Sequence, residues 1–121
     1  VKGGDAVSDV FLKMYVDAVH SGMIADMGAE RWQTLCVLAA FMNEKGECYP
    51  SQELIAQRLG VSREAANRRI KRLCDYQWKG QKIVEMRKRR DPATQTWSNS
   101  VYRILPHSYL SIFETEKGDD E

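Results

Sequence analysis

Between Ala29 and Asn43 the apolar residues Trp32, Leu35, Cys36 and Ala39 fall on one helical stripe, while Val37, Leu38 and Phe41 occupy other sides. A helix apolar nearly all round is buried on more than one side. This segment is therefore expected at the centre of the packing, with the two following helices on one flank and the N-terminal segment, or a second subunit, on the other. Upstream, Val10 to Met27 is rich in apolar residues without a clean period, which predicts a short strand near Val10 to Tyr15 and a helix from about Val16 to Met27. Gly28 then breaks the chain as a helix C′ residue. Downstream, Asn43-Glu44-Lys45-Gly46-Glu47 reads as a turn, and Pro50-Ser51 opens a helix whose inner face is Leu54, Ile55 and Leu59. Ser51 suits the N-cap, because its hydroxyl can accept from an orphan amide, and Glu53 sits near the positive end of the helix dipole. Gly60 ends that helix, Val61 plugs the turn, and Ser62 caps a third helix running to about Tyr76. Ala66, Ile70, Leu73 and Gln77 share its inner face; Arg63, Glu64, Asn67, Arg68 and Lys71 share the outer one. A loop around Trp78 to Gln81 leads into two extended runs, Lys82 to Arg89 and Trp97 to Leu105, separated by the Asp91-Pro92 turn signal. They form a hairpin with a basic tip. Pro106 ends it, and Tyr109 to Phe113 is a short amphipathic piece expected to pack back on the core.

The chain has 121 residues, 43% of them apolar and 29% charged, enough for one compact domain with short appendages. The expected organisation is a flexible arm over 1–8, an N-terminal extension with a dimer contact over 9–28, the main domain over 29–113, and an acidic disordered tail over 114–121. The longest apolar run, Leu35 to Met42, stops at eight residues, well short of the roughly 20 a membrane helix needs. The first residues carry neither an initiator Met nor a signal-peptide apolar stretch, which reads as a cut in a longer protein. Cys36, Cys48 and Cys74 are odd in number and lack CxxC spacing, and His20 and His107 lie far from them in sequence. Neither a disulfide framework nor a metal site is indicated; small buried hydrophobes in a reducing cytoplasm are the expectation.

The formal net charge is +1, but it is strongly segregated. Twelve basic residues between Arg58 and Arg90 face only three acidic ones, a net +9, while the rest of the chain carries −8. A charge run is often only a solvated face. Here it coincides with a helix, a tight turn through Gly60-Val61-Ser62, a second helix and a hairpin, the order of a winged helix-turn-helix, mainly α with a small β-hairpin wing. A recognition helix in the major groove needs long, polar, outward residues in its N-terminal half. Ser62, Arg63, Glu64, Asn67, Arg68 and Lys71 meet that need, and Ala65 is small enough to allow close approach or to touch a thymine methyl. Arginine can bond guanine O6 and N7 in bidentate fashion, and asparagine adenine N6 and N7. Arg87, Lys88, Arg89 and Arg90 are expected on flanking phosphates or in a narrow minor groove. Ser51 and Gln52 can hold a phosphate through main-chain amides and the helix dipole, with Arg72 a further phosphate contact. The only acid on the outer face itself is Glu64, so its cations have little opposite charge at helical spacing. Trp97 is expected to pack rather than to stack on a base.

The stretch Pro50-Ser51-Gln52-Glu53-Leu54-Ile55-Ala56-Gln57-Arg58-Leu59-Gly60-Val61-Ser62-Arg63, followed by Arg68, Ile70 and Leu73, resembles the winged helix-turn-helix at the N-terminus of bacterial plasmid and phage replication initiators. Trp32 to Pro50, with Gly46-Glu47-Cys48-Tyr49-Pro50, and Ser98-Asn99-Ser100-Val101-Tyr102-Arg103-Ile104 are similar to the same group. The resemblance spans about Ala29 to Leu105. It implies double-stranded DNA, specifically a replication origin, as the partner, with replication proteins engaged through regions outside this chain; separately, the apolar Val10 to Met27 segment suggests a homodimer interface or else completes the monomer core. Two departures stand out: Gln77-Trp78-Lys79-Gly80-Gln81-Lys82 is inserted before the wing, and Ala65 replaces a family-like polar residue. A winged-helix transcription regulator shares the same reader, and a protein-interaction winged helix would dock an acidic partner on the basic face. Catalysis has little support. A nicking initiator needs a histidine-rich metal cluster, and no phosphate-cradling glycine loop with its lysine is present. The chain is expected to be non-enzymatic and to need no cofactor.

Overall fold

The computed structural model describes residues 10–94 and 97–114, and only the backbone of Trp97, Ser98, Phe113 and Glu114. The expected arm over 1–8 and most of the acidic tail lie outside the described residues, as does the Trp97 side chain. In chain order the elements are β1 (Val10–Met14), α1 (Asp17–His20), α2 (Met23–Ala39), β2 (Glu47–Cys48), α3 (Gln52–Leu59), α4 (Arg63–Asp75), β3 (Gln77–Trp78), β4 (Gln81–Lys82), β5 (Val84–Arg90), β6 (Trp97–Ile104), a 3-10 turn (Pro106–Ser108) and β7 (Leu110–Glu114).

The anticipated helix from Val16 to Met27 is in fact broken. It starts as the single turn α1, stops at Ser21-Gly22, where Gly22 has φ 94°, and resumes at Met23. Gly28 does break the helix after Met27, though with a ψ unlike that of a left-handed cap. Its φ of 88° with ψ of 167° lies in a region open essentially to glycine alone, and a second helical stretch starts at once from Ala29, so α2 is two helices joined at a kink. The regular part of α2 then ends at Ala39 rather than Asn43. The Asn43 side chain instead closes the turn, its Oδ1 accepting from the Lys45 and Glu47 amides. Val10 to Met14 does form a strand, paired antiparallel with β7 from Val10↔Glu114 to Met14↔Leu110. The last amphipathic piece is thus the partner of the first.

α2 holds the middle, contacting α1, α3, α4, β6 and β7. Leu35, Leu38 and Ala39 are fully buried, in one cluster with Ile55 and Leu59 of α3, Ala66, Ile70 and Leu73 of α4, and Ile83, Val84, Tyr102 and Ile104 at the sheet. Met23 and Met27 belong to the same cluster, so the two parts of α2 on either side of Gly28 share one core. Each large side chain fully withdrawn from water contributes about 1.5–3 kcal/mol. The sheet has the order β2-β6-β5, with Glu47↔Arg103 and Cys48↔Tyr102 on one side of β6 and Val84↔Ile104 to Arg90↔Trp97 on the other. The expected loop at Trp78 to Gln81 is a second, two-stranded hairpin, β3–β4, turned by Lys79 and Gly80, both at positive φ.

Cys48 and Cys74 are buried as small apolar residues. Burial pushes the Cys48 thiol up to about 12 and the Cys74 thiol up to about 11. Both protons are retained in the fold after an unfolded chain would have lost them, so stability is full below the ordinary thiol value and falls as pH rises towards 11–12. Thiol alkylation of the native protein at pH 8 should be slow at these two positions, and urea should bring their rates up together.

Gly46 has φ 80°, donates to Asn43, and its carbonyl accepts from Ile104 N at 2.7 Å; a Cβ there would lie 2.7 Å from the Ile104 carbonyl oxygen. Gly46→Ala should therefore cost about 1–3 kcal/mol, read as a lowered thermal midpoint.

Candidate nucleic-acid interface

Ser51 caps α3, its hydroxyl accepting from Leu54 N at 3.1 Å, and Ser62 caps α4, accepting from Ala65 N at 3.1 Å. Gly60, at φ 74°, turns the chain between them. These three positions fix the tight turn anticipated from the sequence, and α4 leaves it with Ala66, Ile70 and Leu73 facing the core. Arg63, Glu64, Asn67, Arg68 and Lys71 are consequently exposed together on the opposite side, with Ala65 half-buried between the faces.

The outer face is better supplied with acids than its own sequence suggests. Arg63 Nη1 lies 2.9 Å from Glu53 Oε2, joining the first turns of α3 and α4, and Lys71 Nζ lies 3.2 Å from Asp75 Oδ2. Glu64, Asn67 and Arg68 make no side-chain hydrogen bond or ion pair with the described residues. The free middle of the helix is thus bracketed by two exposed ion pairs, each worth about 0–1 kcal/mol and readily traded for another partner.

Farther along α4, Arg69 and Arg72 are engaged by the first turn of α2 after its kink. Glu30 takes Arg72 at 3.2 Å and Arg69 at 3.6 Å, and Gln33 Oε1 accepts from Arg69 at 3.3 Å. Arg31 donates to the carbonyls of Met27, at 3.0 Å, and Arg72, at 3.4 Å, and its guanidinium lies 5.3 Å from the centre of the Tyr76 ring. Tyr76 donates its hydroxyl to Asp26 Oδ2 at 2.7 Å; burial, and then this bond, push the phenol above its ordinary value. Arg72, read from the sequence as a phosphate contact, therefore sits on Glu30.

Gln52 turns its amide inward, donating to the Tyr102 hydroxyl at 3.1 Å, which leaves its main-chain N–H as the group available to an anion. Asn99 donates to the Tyr49 carbonyl at 3.0 Å. These two bonds explain the Ser98–Tyr102 pattern, which marks a family likeness in the sequence without disclosing a role. On β5, Arg87, Lys88, Arg89 and Arg90 are all exposed; Arg87 lies 4.0 Å from Glu47, and the Arg89 guanidinium 5.1 Å from the Tyr49 ring centre. Of these partners, Glu53 carries a sequence signal as a first-turn acid, and Glu47 and Tyr49 fall within the Gly46–Pro50 likeness, but no pattern marks them, or Glu30, as contacts of the basic residues.

Residues 34–78 match a family model described as a helix-turn-helix domain. That segment runs from the middle of α2 through β3, less than half of the chain, and its likeness to a class that lays its second helix along the major groove supports DNA as the partner. No curated protein and no solved structure matched the chain. No helix among the described residues is long and apolar enough to cross a membrane.

Glu53→Gln should release Arg63 from its carboxylate. Affinity for random duplex should rise several-fold in fluorescence anisotropy, with a smaller gain on a preferred site, so that discrimination narrows.

Proposed function

We propose that this chain binds double-stranded DNA sequence-specifically as a winged helix-turn-helix, and that it recognises the origin of a plasmid or phage as part of a replication initiator in the bacterial cytoplasm. The observation that carries the reading is the exposed trio Glu64, Asn67 and Arg68, without a side-chain partner among the described residues, on the outward side of a doubly anchored helix. On this reading α4 enters the major groove, where Arg68 reads guanine, Asn67 reads adenine and Glu64 accepts from cytosine N4. Arg63 and Lys71 exchange their carboxylates for DNA, while Ser62 and Ala65 line the point of closest approach. The β5–β6 hairpin is the wing, and the first turn of α3, at Ser51 and Gln52, takes a phosphate. Initiation, rather than transcriptional control, is supported by the likeness of the Pro50–Arg63 and Ser98–Ile104 stretches to replication initiators. The protein acts here by binding alone, without catalysis or cofactor, and replication proteins meet regions outside this chain.

Self-association belongs to the same reading. Val10, Phe11, Met14, Tyr15, Val16 and Val19 are exposed on β1 and the following turn, and helix-turn-helix dimers commonly read paired half-sites. Sedimentation at micromolar concentration should give a dimer, and Phe11→Ser should shift it to monomer.

Selection from random duplexes should enrich one motif, and its genomic copies should fall at an origin; copies at promoters would instead identify a regulator. The logarithm of affinity should fall steeply with the logarithm of salt, by about 0.9 per phosphate neutralised. Arg68→Ala should cost about 1–3 kcal/mol and relax one base position. Failure to enrich any duplex would leave the basic face to an acidic protein partner.

A further inference from the structure

The arginine-rich strand β5 presents two different environments in alternation. Successive strand residues point to opposite sides: fully buried Val84 marks the side packed on the core, and Met86, 45% exposed although it lies opposite fully buried Tyr102, is where that side emerges into solvent. Lys88 and Arg90 continue that side beyond the core. Glu85, Arg87 and Arg89 belong to the other. There Arg87 passes over its cross-strand neighbour Val101, which is only 4% exposed, to reach Glu47 of β2. Arg89 lays its guanidinium over Tyr49. The register shifts between Arg87↔Val101 and Arg89↔Ser98, so β6 carries one extra residue, and at that irregularity Asn99 bonds the Tyr49 carbonyl. Three hairpin side chains therefore converge on Glu47 to Tyr49, the segment that leads through Pro50 into the Ser51 cap of α3.

We propose that the hairpin has a contacting side and a bracing side: Lys88 meets DNA phosphate, whereas Arg87, Arg89 and Asn99 hold the Glu47–Tyr49 segment and so position the N-terminus of α3. This rests on the DNA-binding reading above, and it divides a basic run that the sequence presents as uniform. The physical ground is the difference between a point charge and a plane. A phosphate accepts lysine or arginine alike, but a stacked contact with a tyrosine ring draws on the flat guanidinium. Arg87 and Arg89 are placed as positioning residues, and Tyr49 is the surface they act through.

The test is the salt dependence of duplex binding by the whole chain, with a thermal melt of each variant. Lys88→Ala should reduce the salt slope by about 0.9, the loss of one phosphate contact. Arg89→Ala, Arg89→Lys, Tyr49→Leu and Asn99→Ala should each weaken binding to the preferred site several-fold while leaving the slope at its wild-type value. Arg87→Ala should likewise leave the slope unchanged. A slope reduced by Arg87→Ala or Arg89→Ala, together with wild-type behaviour of Arg89→Lys and Tyr49→Leu, would overturn the division and return those arginines to phosphate. Unchanged affinity in Tyr49→Leu and Asn99→Ala would overturn the bracing role. A wild-type chain that bound no duplex would instead remove the DNA-binding reading itself.

Discussion

Burial of Ala66, Ile70 and Leu73 against α2 and α3 is the contact on which the exposed surface depends, because a helix can turn only one face inward. Once that stripe is withdrawn from water, Asn67, Arg68 and Lys71 have no choice of direction. Rotating α4 by a single position would carry Asn67 and Lys71, or Arg69 and Arg72, towards an apolar interior, where an unpaired charge costs several kcal/mol. The same rotation would break the Ser62 cap. The presentation of the polar face is therefore enforced from beneath, by packing and by the cap, rather than by contacts among the polar residues themselves.

The second constraint acts along the helix. Asp26, Glu30, Arg31 and Gln33 flank the Gly28 kink and reach Arg69, Arg72 and Tyr76 in the second half of α4 and at its end. Arg31 is the central member, since one guanidinium donates to the carbonyls of two chain segments and covers the face of an aromatic ring. It fixes the end of α4 to the start of the straight part of α2. The kink makes this possible: an unbroken helix through Gly28 would engage the Met27 carbonyl in the helical ladder, where it would be less open to such a bridge. Between the Arg63–Glu53 pair and the anchors of its second half, α4 carries Glu64, Asn67 and Arg68 without a partner among the described residues, which is the arrangement a helix needs if one end is to enter a groove while the other stays with the protein.

The helix-turn-helix is legible in the sequence because its signals are local. Ser51, Gly60 and Ser62 each act on near neighbours in the chain, and the apolar stripe of α4 repeats at helical spacing. The first strand can also be read, and β7 only as an amphipathic piece; their pairing cannot, since Met14 and Leu110 meet only in the folded molecule. The break at Ser21-Gly22 is hidden because an apolar-rich segment with no clean period looks continuous. The break at Gly28 is legible but its kind is not, because glycine marks kinks and caps with the same letter. The ion pairs are illegible for a different reason. Glu30 and Arg72 lie 42 positions apart, and no periodicity connects them. A count of acids on one helix face therefore understates the opposite charge available to it.

That redistribution of charge alters how the basic segment behaves. Its +9 is a sum over sequence, but Glu30, Glu47 and Glu53, all from outside the segment, sit beside four of its cations in space. Beyond about one Debye length, roughly 8 Å at physiological salt, each such pair presents little field. The attraction felt by a passing polyanion is then weaker than the segment sum suggests, and it is concentrated at the cations without carboxylate partners, of which Arg68 lies at the middle of the reading face. A partner offering only phosphates must displace carboxylates to gain the remaining contacts. On the proposed DNA-binding reading, one that also offers matching base edges would gain hydrogen bonds from Asn67 and Arg68 that require no displacement. The carboxylates would then penalise indiscriminate binding more than matched binding, and an overall charge near neutrality is compatible with a basic outer face on α4.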